Sequence, residues 1–116
     1  AREILILEDG TTFSGRADSY KTSALGYKGG GKGGNCRIVQ NFRTKKEKVM
    51  PPKQRLLVLK AGDSIRMETP GGGGFGKPKD RNKNQLTQDI IDGRITPEVA
   101  RKFYGEELLE ELKKLI

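Results

Sequence analysis

The chain has 116 residues and a net charge of +8, with 33% hydrophobic and 33% charged residues. This length suits one domain, but the apolar content is thin for a self-sufficient core, so the chain is expected to be marginal alone or to complete its core against a partner. One cysteine, Cys36, and no histidine exclude an intramolecular disulfide and argue against a self-contained zinc site, and a reducing, cytoplasmic setting fits. No apolar run approaches the roughly 18 residues of a membrane span, and no apolar amino-terminal stretch suggests a signal peptide.

The elements read as β first and α last. Arg2 to Leu7 is a short apolar run, Glu8-Asp9-Gly10 is a turn signal, and Thr11 to Phe13 are strand formers, so the three together predict a β-hairpin. Ser14 to Ser23 is polar and without a clear period. Gly26 to Gly34 holds six glycines in nine residues and predicts a loop. Arg37 to Arg43 alternates around Ile38, Val39 and Phe42 as a strand. The basic stretch Thr44 to Lys53, with Pro51-Pro52, reads as an exposed connection. Gln54 to Lys60 is a buried-strand candidate, Ala61-Gly62-Asp63 a turn, and Ser64 to Thr69 sets Ile65 and Met67 against Arg66 and Glu68 with period two. These predict a second hairpin. Pro70 ends it, and Gly71 to Gly76 is the second glycine cluster.

Helices are expected only beyond Lys83. Leu86 and Ile90 lie at i, i+4, and Gly93 suits the residue past a helix end. Thr96 suits an N-cap, Pro97 the first helical position, and Glu98 the helix dipole. Gly105 would close that helix, and Glu106 to Ile116 predicts a third, with a stripe of Leu108, Leu112 and Leu115. The fold class is therefore α+β: mainly antiparallel strands in hairpins with glycine-rich loops, then two or three short carboxy-terminal helices. Residues 1–83 form the β-rich region and 84–116 the helical segment, expected as a single domain overall.

Each candidate motif has a plainer explanation. Gly26 to Lys32 and Gly71 to Lys77 both show G-x-x-x-x-G-K spacing, but a phosphate loop needs a following Ser or Thr and a helix. Gly33 and Pro78 stand there instead. The plainer account is close backbone approach, where a Cβ would clash, and Gly71, Gly72, Gly73 and Gly74 are its candidates, some with positive φ. Arg37 to Lys60 carries eight Lys or Arg against one acid, Glu47, which could follow nucleic acid. Only Phe42 offers a stacking face there, so a solvated edge or an acidic protein partner competes. Cys36 lacks the His that an activated thiol needs. Asp63, Glu68, Asp89 and Asp92 suit turn and surface roles. Leu108, Leu112 and Leu115 are either core or interface. No catalytic, cofactor-binding or metal-ligating residue is assigned.

At Gly62 to Gly76, GDSIRMETPGGGGFG, the chain resembles a segment near the carboxy terminus of hydantoinase B proteins, with its G-D-x-x-R-x-x-T-P-G-G-G-G-[YF]-G run. Members include 5-oxoprolinase and the large subunits of acetone and acetophenone carboxylases. Asp89 to Gly105, DIIDGRITPEVARKFYG, resembles the D-V-x-x-G-x-[VI]-[ST]-x-E-x-A-x-x-x-Y-G ending. Leu25 to Asn35 resembles the G-L-x-G-G-x-x-G-x-x-N stretch, and Leu7 to Ser14 the strand pair before it. Three departures stand out. Lys77 occupies the place before Pro78 where the family usually shows an acid, Glu106 to Ile116 is added beyond the Y-G, and the family chains run to several hundred residues.

The resemblance implies a piece of a B-type subunit partnered by larger hydantoinase A-like and B-like subunits in a hetero-oligomer. ATP and a divalent metal are expected on those partners and none on this chain. The foremost expectation is a small structural subunit of an acetone or acetophenone carboxylase-like complex. An ATP-dependent hydantoinase or 5-oxoprolinase is the alternative within the family, and a basic nucleic-acid-binding module the alternative outside it. Ala1 fits removal of an initiator Met, so a separately encoded subunit is the expectation.

Overall fold

The structure, a computed structural model, describes residues 1–106 and residue 110. The predicted helix over Glu106 to Ile116, with Leu108, Leu112 and Leu115, falls almost entirely outside the described residues. The chain divides into two compact units: residues 1–26 with 32–73, and residues 27–31 with the chain from Gly74 on.

The first unit is all β. Its strands are β1 (Arg2–Leu5), β2 (Thr11–Arg16), β3 (Arg37–Gln40), β4 (Lys48–Val49), β5 (Lys53–Leu59) and β6 (Ser64–Glu68). They form an antiparallel four-stranded sheet of order β1-β6-β3-β4 and an antiparallel pair β2-β5. The mainly antiparallel α+β class is thus the observed one.

The two expected hairpins are not. β1 pairs with β6 (Ile4 opposite Ile65) and β2 with β5 (Phe13 opposite Leu57), so each run of the predicted hairpins takes its partner from the other. The reason lies in the two turns, which bond to one another. Ile6 N–H donates to the Asp63 carbonyl and Gly62 N–H to that of Ile6, both at 2.8 Å, while Gly10 N–H reaches the Leu59 carbonyl and Ala61 N–H the Asp9 carboxylate. At these turns the chain changes sheets. Ile6, Leu59 and Ile65 can then meet Ile38 and Met50 in one core, with Phe13, Tyr20, Leu57 and Met67 packed around it. Local hairpins would keep Leu59 and Ile65 side by side in one sheet. Thr44 to Lys53, expected as a connection, contributes the two-residue β4.

Period two is realised on β6. Ile65 and Met67 face the core cluster. Arg66 and Glu68 lie on the opposite face and join a cross-strand ladder, Glu3–Arg66–Glu68–Arg37, in which Arg37 grips Glu68 with two nitrogens at 2.8 and 3.0 Å. Tyr20, set in the stretch without period, is anchored by its hydroxyl. It donates to the Met50 carbonyl at 3.0 Å and accepts from Ile38 N–H at 2.7 Å.

The second unit carries a 3-10 turn (Pro78–Asp80), α1 (Lys83–Ile91) and α2 (Pro97–Tyr104). The 3-10 turn precedes Lys83, where no helical residue was expected; Pro78 sets its φ and Asp80 N–H closes it onto the Lys77 carbonyl. Asn82 caps α1 through Gln85 N–H, and Gly93 at φ +68° ends it, with Gly93 N–H on Ile90 and Arg94 N–H on Asp89. That bonding pattern is a Schellman motif. Thr96 caps α2 through Val99 N–H, Pro97 starts it and Gly105 closes it. Leu86 and Ala100 are fully buried.

Candidate functional site

The glycine segments are where local sequence departs furthest from ordinary packing. In the first unit, Gly33 N–H donates to the Ala24 carbonyl at 2.9 Å and Gly71 N–H to that of Gly34 at 3.1 Å. A Cβ on Gly33 would stand 2.2 Å from the Gly71 carbonyl oxygen, and one on Gly73 would stand 2.0 Å from that of Leu25. No side chain fits there without moving backbone. Gly72 has open space around it. The expected positive φ is absent from Gly71 to Gly74; among the described glycines it occurs at Gly10, Gly29, Gly62, Gly76, Gly93 and Gly105. Gly73 is therefore required by proximity, not by handedness, because a neighbouring carbonyl occupies the volume a side chain would take.

In the second unit, Tyr27 N–H donates to the Gly74 carbonyl (2.9 Å), Gly74 N–H to that of Gly31 (2.8 Å) and Gly76 N–H to that of Tyr27 (2.9 Å). Tyr27 and Phe75 form a parallel bridge, and a Cβ on Gly30 would stand 2.0 Å from the Gly74 oxygen. The bridge sets the Tyr27 and Phe75 rings side by side, centroids 6.0 Å apart at 38°, with Lys28 Nζ within 5.8 Å of both. The two residues are 66% and 76% exposed. Sequence reasoning passed over this pair; its one signal was a large apolar residue, Phe75, inside a run of glycines.

A phosphate cradle presents free N–H groups, and the loops do not offer a full set of them: the amides of Tyr27, Gly30, Gly33, Gly71, Gly74 and Gly76 donate to backbone carbonyls. Nor do Cys, Asp and Glu side chains gather in threes able to hold a metal ion, among the described residues.

The other candidates have structural partners. Asp63 accepts from Lys60 N–H at 2.9 Å and from the Asn41 side chain at 3.0 Å, and these bonds, Lys60 first, hold its carboxyl below the usual range. Asn41, buried at φ +53°, also accepts from Ser64 N–H. The Arg37 bond, followed by that from Arg66, draws Glu68 down to about 2. Asp89 is paired with Arg81 and with Arg94, and Asp92 with Arg94. Cys36 is half-buried at the entrance to β3, its N–H on the Ser19 carbonyl. In the basic stretch, Lys45, Lys46 and Lys60 edge an open cleft of about 470 Å³ with Asn41 and Asp63. Phe42, its one aromatic, is engaged by Arg66 and Arg43 at 4.3 and 5.1 Å. No helix is long and apolar enough to cross a membrane, among the described residues.

Fold and site together define an α+β module whose glycine loops lock backbone to backbone. The Hydantoinase B/oxoprolinase family model matches residues 1–78, and the chain belongs to that family. It is 35% identical over 106 residues to the B-type subunit of a “Putative D-/L-hydantoinase” of Pseudomonas sp. (strain NS671), covering 90% of this chain and 18% of that one. An uncharacterised protein of Methanocaldococcus jannaschii is 31% identical over 96 residues, 82% of this chain and 16% of that one. The chain thus spans less than a fifth of the length of either relative. No solved structure matches it.

Proposed function

We propose that this chain is a structural portion of a hydantoinase B-type subunit, acting with larger A-type and B-type polypeptides in an ATP-dependent complex that hydrolyses a cyclic amide. The observation that carries this reading is the interlocked glycine backbone, where six loop amides donate to backbone carbonyls and carbonyls stand where a Cβ on Gly30, Gly33 or Gly73 would go, in a chain that belongs to the hydantoinase B family. Such loops shape a surface held by backbone-to-backbone bonds. In this reading ATP and a divalent cation belong to the partner polypeptides. The name of the Pseudomonas relative supports hydrolysis over the ketone carboxylation expected foremost from the sequence.

The test is purification of the tagged chain from its native host. Polypeptides of several hundred residues should accompany it, and the complex should open a hydantoin or 5-oxoproline only when ATP is supplied. Turnover of a ketone with bicarbonate instead would move the chain to the carboxylase branch. Recovery alone, or with nucleic acid and no ATP-dependent activity, would overturn the reading.

A further inference from the structure

We infer that the Tyr27–Phe75 pair is an anchor by which this chain docks on the remainder of the B-type polypeptide, in an apolar recess with an acidic rim. The inference rests on the function proposed above and adds the contact surface. Two large aromatic residues stand mostly in solvent, 66% and 76% exposed, which is costly for apolar surface unless a partner covers it. Their exposure is built, not incidental. Tyr27 is bonded through both its N–H and its carbonyl to the backbone around Phe75, and Gly30 is pressed onto Gly74 too closely for any side chain. A rigid aromatic pair loses little conformational freedom on binding, the property of interface anchors.

Charge and length name the occupant. Lys28 lies within 5.8 Å of both rings, Lys77 packs its Cγ on Gly29, and the chain carries +8 overall, so acidic groups belong on the facing rim. In the two relatives the matched part makes up 18% and 16% of one polypeptide, so most of that polypeptide is available to cover the rings. Nucleic acid is the less favoured occupant, because the two rings already pack on each other and leave no row of free faces for successive bases.

The experiment uses the full tagged chain in its native host, as wild type, as Tyr27→Ala/Phe75→Ala, and with Phe75→p-benzoylphenylalanine for photo-crosslinking. Captured polypeptides are identified by mass spectrometry, and circular dichroism and melting report whether each variant folds. We expect the folded double variant to retain the B-type polypeptide at least about ten-fold less than wild type, and the photoprobe to crosslink to that polypeptide. Retention within two-fold of wild type, or a crosslink only to RNA or to a second copy of this chain, overturns the anchor while the proposed function stands. If the double variant fails to fold, the crosslink decides. If wild type itself brings down no B-type polypeptide, the proposed function fails first.

Discussion

At the scale of single residues, adjacent glycines carry opposite burdens. A Cβ at Gly73 would meet the Leu25 oxygen at 2.0 Å, whereas one at Gly72 meets nothing within 4 Å. Gly72→Ala should leave urea stability unchanged or raise it by up to about 1 kcal/mol, since it restricts the unfolded chain. Gly73→Ala should lower it by more than that gain, because backbone must shift to admit the methyl group. Equal midpoints for the two variants would remove the close-approach account. That a glycine cluster packs closely was readable from TPGGGGFG. Which of the four is indispensable was not, because the obstructing atom belongs to Leu25, 48 positions earlier in the chain.

At the scale of elements, every strand but β4 was legible, and their partners were not. Leu56 to Leu59 marked β5 by composition, although Leu56 and Val58 are exposed and only Leu59 is fully buried, and Ile65/Met67 marked β6 by period, yet turn signals at Gly10 and Gly62 pointed to hairpins that do not form. The ladder on the outer face of the four-stranded sheet has a measurable consequence. The Glu68 carboxyl sits at about 2 in the fold, below its ordinary value of 4.5, chiefly through Arg37 and then Arg66. A depressed carboxyl stabilises the fold above its unfolded value, and the contribution is lost as pH falls towards the folded one. Denaturant midpoints should therefore hold level above about pH 5 and fall between about 5 and 2. In Glu68→Gln the midpoint should be lower at pH 7 and the acid-side fall shallower. Asp63 and Glu98 are depressed as well and keep some slope in that variant. An unaltered profile would mean that the ladder does not contribute.

At the scale of the whole molecule, the charge of +8 bears on association more than on fold. Lys45, Lys46, Lys48 and Lys53 lie in the basic stretch Arg37 to Lys60, whose one aromatic, Phe42, is already engaged by two arginines. Binding to a mixed-sequence RNA should therefore be weak and indifferent to sequence. With four lysines on phosphates, affinity should drop roughly fifty-fold between about 50 and 200 mM salt, since each contact adds about 0.7 to the logarithmic salt slope for single strands. A gel-shift titration across that range checks it, and tight, sequence-dependent binding at the upper end would restore the nucleic-acid reading.

By itself the sequence determined five of the six strands and the helices α1 and α2, the helix caps at Thr96, Pro97, Gly93 and Gly105, and the family, through an ordered set of glycine motifs. All of these are written in short stretches of chain, where a period of two, a capping hydroxyl or a run of glycines carries its own physics. The tertiary structure alone decided that β1 seeks β6 and β2 seeks β5, that Tyr20 ties β3 to Met50, and that Tyr27 and Phe75 stand together in solvent. Period two tells which way a side chain faces and is silent on which strand lies alongside. A glycine permits close approach, but the backbone that approaches is chosen by the core, where Ile6, Leu59 and Ile65 can be buried together only if the chain changes sheets between them.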